Sequence, residues 1–208
     1  MRSRKLTRRQ WLVVGCLFVG GGAAAIALRK ISGDAPLLAV TDDYCVVAPL
    51  LPFDPAWGIA LLAPRAVPAD ARCPVCGMFP SRSPEWAAQI VFDDGDTQFF
   101  DSPLSLFTYL QDVGRYTAGR NLASVAAQYV RDSATGEWIE APSAFYVHGS
   151  DAVGPMRAGN LPAFSSDTSA QAFASRRGGQ VIRAGQISPT MLQTLSGVKR
   201  HLHQEAAV

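Results

Sequence analysis

The segments Phe100-Asp-Ser-Pro-Leu-Ser-Leu-Phe-Thr-Tyr109 and Phe164-Ser-Ser-Asp-Thr-Ser-Ala-Gln-Ala-Phe173 share one pattern, Phe-x-Ser-x-x-Ser with an aromatic residue four positions later. In both, the first serine is suited to cap a helix, because its hydroxyl can accept a hydrogen bond from an amide of the first turn. Each segment also follows a short apolar stretch typical of a strand. The pattern predicts two similar strand–strand–helix units. Two unrelated serine-capped helices are the alternative.

The flanking sequence predicts further elements around both segments. Short apolar or alternating runs bounded by turn residues predict six strands, over Ala87–Phe92, Thr97–Phe100, Ser124–Arg131, Ser143–Val147, Leu161–Phe164 and Gln180–Arg183. Helical spacing and capping residues predict three helices, which follow Ser102, Ser166 and Ser188. The fold class is therefore α+β, with the two similar strand–strand–helix units packed together.

Composition divides the chain into consecutive segments. We predict a signal or anchor over 1–30, a proline-rich arm over 31–69, a body over 70–190 and a tail over 191–208. The body divides into units 70–123 and 124–190, with residues 113–124 and 148–160 as loops. Because proline fixes φ and removes a backbone donor, the arm should contain no long helix. We expect it to extend and pack partly on the body, with a membrane-proximal spacer as the alternative.

The N-terminus is typical of an export signal. Thr7-Arg8-Arg9-Gln10-Trp11-Leu12 is similar to a twin-arginine signal, and the uncharged run Trp11–Leu28 could instead anchor the chain in a bilayer. Val13-Val14-Gly15-Cys16 is similar to a lipoprotein processing box, so lipidation of Cys16 is a third alternative. We predict a periplasmic protein attached to the inner membrane through this segment or a lipid.

Charge argues against a nucleic-acid partner. The net charge is +2, and much of the positive charge lies in the first nine residues, at Arg2, Arg4, Lys5, Arg8 and Arg9. The remaining sequence has no basic stripe of the kind that binds phosphate backbones.

The motif Cys73-Pro-Val-Cys76-Gly-Met78 places two thiols and a thioether within six residues. These are soft donors, which select Cu(I) over hard cations. Cys-x-x-Cys alone also fits a structural disulfide, a redox pair or half a zinc site. No second Cys-x-x-Cys accompanies it, and the surrounding prolines oppose the helix that a thioredoxin-like pair would open. Met78 therefore favours Cu(I).

Two residues of the second unit are further candidate ligands. Met156 lies in a glycine-rich loop, so core packing is a less natural explanation for it than for a helical methionine. His148 ends a predicted strand and is either a borderline ligand or a surface histidine. Cys45 in the arm is interpreted as a small buried or stray thiol.

Several segments together resemble one family, NosL, the accessory protein of nitrous oxide reductase maturation. They are Cys73–Met78, Phe100–Leu110, Tyr129–Ile139, Ala144–Ser150, Gly154–Met156 and Phe164–Phe173. The resemblance implies a non-enzymatic Cu(I) chaperone that supplies copper to apo-nitrous oxide reductase, with other membrane-bound maturation or copper-supply proteins as further partners. It also implies a fold of two small related ββαβ-like units packed together. Its copper ligands would carry over to Cys76 and Met78, then Met156, with Cys73 as an additional candidate. The long proline-rich arm and His148 depart from the family pattern.

Two other functions remain open at this point. One is a periplasmic thiol oxidoreductase that uses Cys73 and Cys76. The other is a structural disulfide module in a membrane-bound maturation complex.

Overall fold

A computed structural model describes residues 48–157 and 159–197. The predictions for the signal segment, Cys16, Cys45 and most of the C-terminal tail lie outside the described residues. Within the described ranges, no helix combines the length and the apolar character that crossing a bilayer requires.

The first unit extends through residue 140 and not to the predicted boundary at 123, because the strand that follows that boundary pairs with the first strand of this unit. It contains a four-stranded antiparallel sheet and two helices. Its strands are β1 Ala88–Phe92, β2 Thr97–Phe100, β3 Val125–Arg131 and β4 Trp138–Glu140, in the spatial order β2-β1-β3-β4. Its helices are α1 Pro103–Leu110 and α2 Val113–Tyr116. The hydroxyl of Ser102 accepts a hydrogen bond from the Ser105 amide, and Pro103 occupies the first turn of α1. The sequence prediction of this helix start is confirmed.

The second unit repeats this arrangement with shorter strands. It consists of β5 Phe145–His148, β6 Ala163–Phe164, α3 Asp167–Arg177 and β7 Gln180–Arg183, with the antiparallel order β6-β5-β7. The hydroxyl of Ser166 accepts from the Ser169 amide, as Ser102 does in the first unit. In both units the first strand lies between the second and the third. The prediction of two related ββαβ units is therefore confirmed.

Two local features differ from the sequence prediction. Strand β4 was not predicted, because a three-residue strand has too little pattern and depends on its partner β3. The loop predicted over 113–124 contains α2, capped by Asp112, and a 3-10 helix over Leu122–Ser124. The helix predicted after Ser188 is confirmed as α4 Pro189–Leu195.

One apolar core extends through both units. Its buried members include Ile90 and Phe100 of the first sheet and Ile182 of the second. Phe107 of α1 packs edge-on against Tyr146 of β5, with ring centroids 5.2 Å apart. Because the aromatic side chains of one unit are covered by the other, the halves stabilise each other.

The carboxylate of Asp132 joins the end of β3 to the end of β6. It accepts hydrogen bonds from the amides of Ala134 at 2.7 Å and Ser165 at 3.0 Å. Burial alone would raise the pKa of Asp132. Hydrogen bonds from Ser165, Ala134 and Thr135 outweigh that effect and hold the pKa below the usual aspartate value. The folded state therefore favours the ionised carboxylate.

We expect Asp132→Asn to lower the free energy of unfolding by about 1–3 kcal/mol at neutral pH, because one buried amide would lose its acceptor. The lowered pKa stabilises the folded protein above the unfolded-state pKa of about 3.9, and this contribution is lost as pH falls through the folded-state pKa. The difference in free energy of unfolding between wild type and variant should therefore decrease as the pH is lowered. Denaturant unfolding at several pH values measures it, with the exposed Asp70→Asn as control. A pH-independent difference would contradict the assignment.

Candidate metal centre

Residues Cys73–Met78 form a tight turn closed by two backbone hydrogen bonds. The Cys73 amide donates to the Met78 carbonyl, and the Gly77 amide donates to the Cys73 carbonyl, both at 2.8 Å. Gly77 has a φ of +75°, a left-handed conformation that glycine adopts at little cost because it has no Cβ. The two cysteines and the methionine thus share one compact turn and do not open a helix.

The two thiols meet the carboxylate of Asp101, and we name these three side chains the thiol–carboxylate cluster. Potential ligand atoms of Cys73, Cys76 and Asp101 all lie within 4.8 Å of one another. The Cys76 thiol donates a hydrogen bond to Oδ1 of Asp101 at 3.2 Å. Across residues 48–157 and 159–197, no other group of three His, Cys, Asp or Glu side chains is close enough to hold a metal ion.

Asp101 enters the cluster because it lies between the end of β2 and the cap of α1. Its side chain is buried, and its Oδ2 has no hydrogen-bond partner among the described residues. A buried carboxylate oxygen without a partner is costly, so stability alone would favour another residue here. The second unit has Ser165 at the corresponding position. The carboxylate therefore distinguishes the first unit from its repeat.

Sequence reasoning did not identify Asp101 as a site residue. The available signal was a charged side chain between a buried strand and a helix cap. Its contact with Cys76, which is 25 positions away, depends on the tertiary fold.

Burial raises the pKa of the Cys73 thiol well above its usual value. The hydrogen bond with Cys76 and the negative charge of Asp101 act in the same direction, and the Asp101 amide only partly opposes them. Cys73 is fully buried, with 0% of its surface exposed. At neutral pH this side chain is therefore a neutral thiol, which must lose its proton to bind a metal ion.

Met78 lies on the solvent side of the turn. Its side chain is 36% exposed, whereas Cys76 is half-buried and Cys73 is buried. The guanidinium groups of Arg72 and Arg82 lie 4.2 Å and 4.6 Å from the ring centroid of Phe79, the next residue. The soft donors thus run from the core to the surface, where cationic side chains flank them.

The two other predicted ligands lie in the second unit. Met156 belongs to a turn in which the Arg157 amide donates to the Gly154 carbonyl at 2.9 Å. Its side chain is 54% exposed, which excludes a core-packing role. His148 ends β5 and pairs with Gln180 of β7. Neither is a member of the thiol–carboxylate cluster, and both ligand roles stay predictions.

The family model for NosL matches residues 64–192, more than half of the chain. The chain belongs to the NosL family. This match confirms the resemblance inferred from the sequence and covers both ββαβ units and the thiol–carboxylate cluster.

Curated NosL relatives support the assignment. The chain is 30% identical over 146 residues to the copper-binding lipoprotein NosL of Stutzerimonas stutzeri, covering 66% of this chain and 73% of that protein. It is 35% identical over 105 residues to the copper-binding lipoprotein NosL of Achromobacter cycloclastes, covering 45% of this chain and 54% of that protein. The chain thus spans about half the length of the second relative.

A solved structure supports the fold. The crystal structure of the copper chaperone NosL from Shewanella denitrificans superposes with a TM-score of 0.53 at 24% identity. The match covers 62% of this chain and 97% of that one. At this identity, the likeness establishes a shared fold and nothing further.

We expect the two thiols to differ in reactivity toward an alkylating reagent at neutral pH. Cys76 should react at least about tenfold faster than Cys73, because each unit of raised pKa lowers the thiolate fraction about tenfold and because Cys73 is buried. Peptide-resolved mass spectrometry of the full chain measures both rates. In denaturant the two rates should converge. Equal rates in the folded protein would contradict the burial of Cys73.

Proposed function

We propose that this protein is a Cu(I)-binding chaperone that delivers copper to apo-nitrous oxide reductase. The observation that carries the proposal is the convergence of the Cys73 and Cys76 thiols in the turn that also contains Met78. Family membership and the copper-related names of the relatives support the choice of metal.

The donor set matches a soft monovalent ion better than a hard divalent one. Thiolate and thioether ligands favour Cu(I), and low coordination is sufficient for that ion. We assign Cys76 and Met78 as the principal ligands, with Cys73 as an additional thiol. Binding requires thiol deprotonation, and the Cys76 thiol already donates to Asp101. A carboxylate oxygen is a hard donor, so we assign Asp101 to orienting Cys76 and receiving its proton rather than to holding copper.

Release to a partner should proceed through the exposed donors. Met78 and Met156 are both accessible, so a partner's ligands can replace them without unfolding the core. We infer that Met156 completes the copper site from the second unit. An exported, membrane-attached location would bring the chaperone to the compartment where the proposed recipient is assembled. This location rests on the N-terminal signal features and on the lipoprotein naming of the relatives.

The thiol oxidoreductase is less well supported. Catalytic thiols of that class are accessible and have a lowered pKa, often at a helix N-terminus. Here the pKa of Cys73 is raised, its side chain is buried, and the motif forms a turn. These properties make Cys73 a poor attacking or resolving thiol.

Anaerobic competition with a Cu(I) chelator tests the binding site. We expect the full chain to bind Cu(I) tightly with one-to-one stoichiometry. Cys76→Ser and Met78→Ala should each lower the Cu(I) affinity more than about a hundredfold, because they remove a ligand, and loss of a group that only supports a ligand already costs about 10–100-fold in affinity. Asp101→Asn should lower the Cu(I) affinity only about 10–100-fold, as expected for a group that orients a ligand without binding copper itself.

Met191→Ala is the matched control for the methionine variant. Met191 lies in α4 and packs against the core, so its replacement should leave copper affinity unchanged. Failure of the wild type to bind Cu(I), together with ready cycling of a Cys73–Cys76 disulfide, would contradict the proposal and favour the oxidoreductase.

Delivery has a separate test. Copper-loaded chaperone should build the spectroscopic signature of the copper centre in apo-nitrous oxide reductase faster than the same Cu(I) held by a small chelator of equal affinity. Ligand-by-ligand exchange on a docked partner avoids free copper, which is the reason for the expected difference. Equal rates would contradict directed delivery and leave copper binding intact.

A further inference from the structure

The segment Pro55–Pro64 presents an apolar surface to solvent. Its sequence, Pro-Ala-Trp-Gly-Ile-Ala-Leu-Leu-Ala-Pro, contains no charged or side-chain hydrogen-bonding residue except the indole of Trp57. It supplies four of the eight large hydrophobic side chains that are exposed within the described ranges, namely Trp57, Ile59, Leu61 and Leu62, at 37–41% exposure. Such a concentration on one short segment marks an interaction surface. We name Pro55–Pro64 the apolar loop.

A buried arginine fixes the apolar loop to the first sheet. Arg65 is only 3% exposed, and its guanidinium donates to the carbonyls of Ala63 at 3.0 Å and Leu61 at 2.8 Å. The same group lies 5.9 Å from the ring centroid of Trp57. The amide of Gln89 in β1 donates to the Arg65 carbonyl at 3.0 Å, while its oxygen accepts from the Arg65 amide at 2.9 Å. The exposed side chains therefore belong to an anchored loop.

Four backbone carbonyls of the loop accept hydrogen bonds from other groups of the protein. The carbonyls of Leu61 and Ala63 bind Arg65, and the Leu62 carbonyl accepts from the Tyr129 hydroxyl at 2.8 Å. The Ala60 carbonyl accepts from the Ala63 amide at 3.0 Å. Unpaired carbonyls are costly in a lipid environment, and these four are paired. Pairing of these four carbonyls lowers the cost of bringing the loop to a surface that offers few hydrogen bonds.

We propose that the apolar loop inserts into the interfacial region of the lipid bilayer to which the N-terminus attaches. This inference rests on the proposed membrane attachment, but not on copper binding. The uncharged run Trp11–Leu28 precedes the loop, and residues 29–47 can span at most roughly 65 Å when fully extended. The loop is therefore within reach of the same membrane. Tryptophan favours the membrane interface, and Ile59 and Leu62 would enter the acyl boundary.

The charged side chains near the loop allow apolar insertion to be distinguished from electrostatic attraction to the membrane. The turn beside it contains Asp93, Asp94 and Asp96, and Arg120 bonds Asp94 at 2.6 Å and Asp96 at 2.7 Å. Arg65 also interacts electrostatically with Asp96, so two guanidinium groups face three carboxylates and this region stays net negative. Anionic lipid headgroups should not strengthen the contact, in contrast to the effect expected for a basic membrane-binding patch.

Insertion would also orient the copper site. Leu51, just before the loop, pairs with Thr97 at the start of β2, whereas Asp101 follows the other end of that strand. At about 3.3 Å per residue, the two ends are separated by roughly 13 Å. The Leu61 side chain lies beside Gly95 in the turn before β2, and so toward the end of the strand opposite Asp101, whereas the Arg65 anchor at Gln89 lies opposite Phe99.

Depth-dependent tryptophan quenching tests the proposal on the full chain in phosphatidylethanolamine vesicles. One variant retains only Trp57, with Trp11, Trp86 and Trp138 replaced by phenylalanine, and the matched control retains only Trp86. Lipids brominated close to the headgroup should quench Trp57 strongly, lipids brominated near the chain end should quench it less, and Trp86 should respond to neither. Adding phosphatidylglycerol should not increase Trp57 quenching, and an increase would contradict apolar insertion in favour of electrostatic attraction.

A second variant checks that the loop itself is responsible. Ile59→Asp with Leu62→Asp, in the Trp57-only chain, should abolish lipid quenching while preserving the circular dichroism spectrum and Cu(I) affinity. Persistent quenching in that variant would overturn the proposal. Free quenching of Trp57 by iodide would also overturn it, because the side chain would then be in water. Trp57 that is shielded from iodide but not quenched by brominated lipid would overturn it as well, because a protein would then cover the loop. Vesicle flotation separates loop insertion from membrane attachment. If the chain floats with the vesicles but Trp57 is not quenched, only insertion of the loop is refuted. If the chain does not float, the proposed membrane attachment is refuted as well.

Discussion

The buried carboxylate of Asp132 is the polar constraint on which the pairing of the two units depends. It binds backbone amides on both sides of the junction, where β3 ends and β6 ends. The apolar part of the junction is the packing of Phe107 against Tyr146. Apolar burial is non-directional, whereas two hydrogen bonds to one carboxylate set a register. Each sheet is too small to cover its own aromatic residues. The hydrogen bonds of Asp132 and the packing of Phe107 on Tyr146 together join the two sheets into one folded body.

The candidate metal centre arises where that repeated architecture is broken. Both units place a strand, a turn and a serine-capped helix in the same order, but only the first has a carboxylate, Asp101, at the corner. The turn that contains Cys73 packs against this corner and contributes a buried thiol to the shared core. Met78 remains outside. A rigid interior and an accessible rim suit a site that must hold a soft ion and then release it.

Much of the fold was predictable from local sequence because its signals are local. Caps at Ser102 and Ser166 set both principal helices, and turn residues bounded β2 and β7 at their observed ends. Strand β4 was not predictable, since three residues become a strand only through pairing with β3. Helix α2 was also missed. It contains Gly114, which disfavours helix, and it is supported by the stacking of Tyr116 on Tyr109 at 5.5 Å.

The sequence by itself determined the soft donor chemistry, the family and the repeated ββαβ plan, because thiols, caps and turn residues act through their type and their spacing. Only the tertiary structure decided that Cys73 is buried, that Asp101 meets Cys76, and that Leu61 belongs to an exposed apolar loop. Each of these facts depends on segments distant in the chain being packed together. Burial and proximity are properties of that packing, and no spacing within a single motif encodes them.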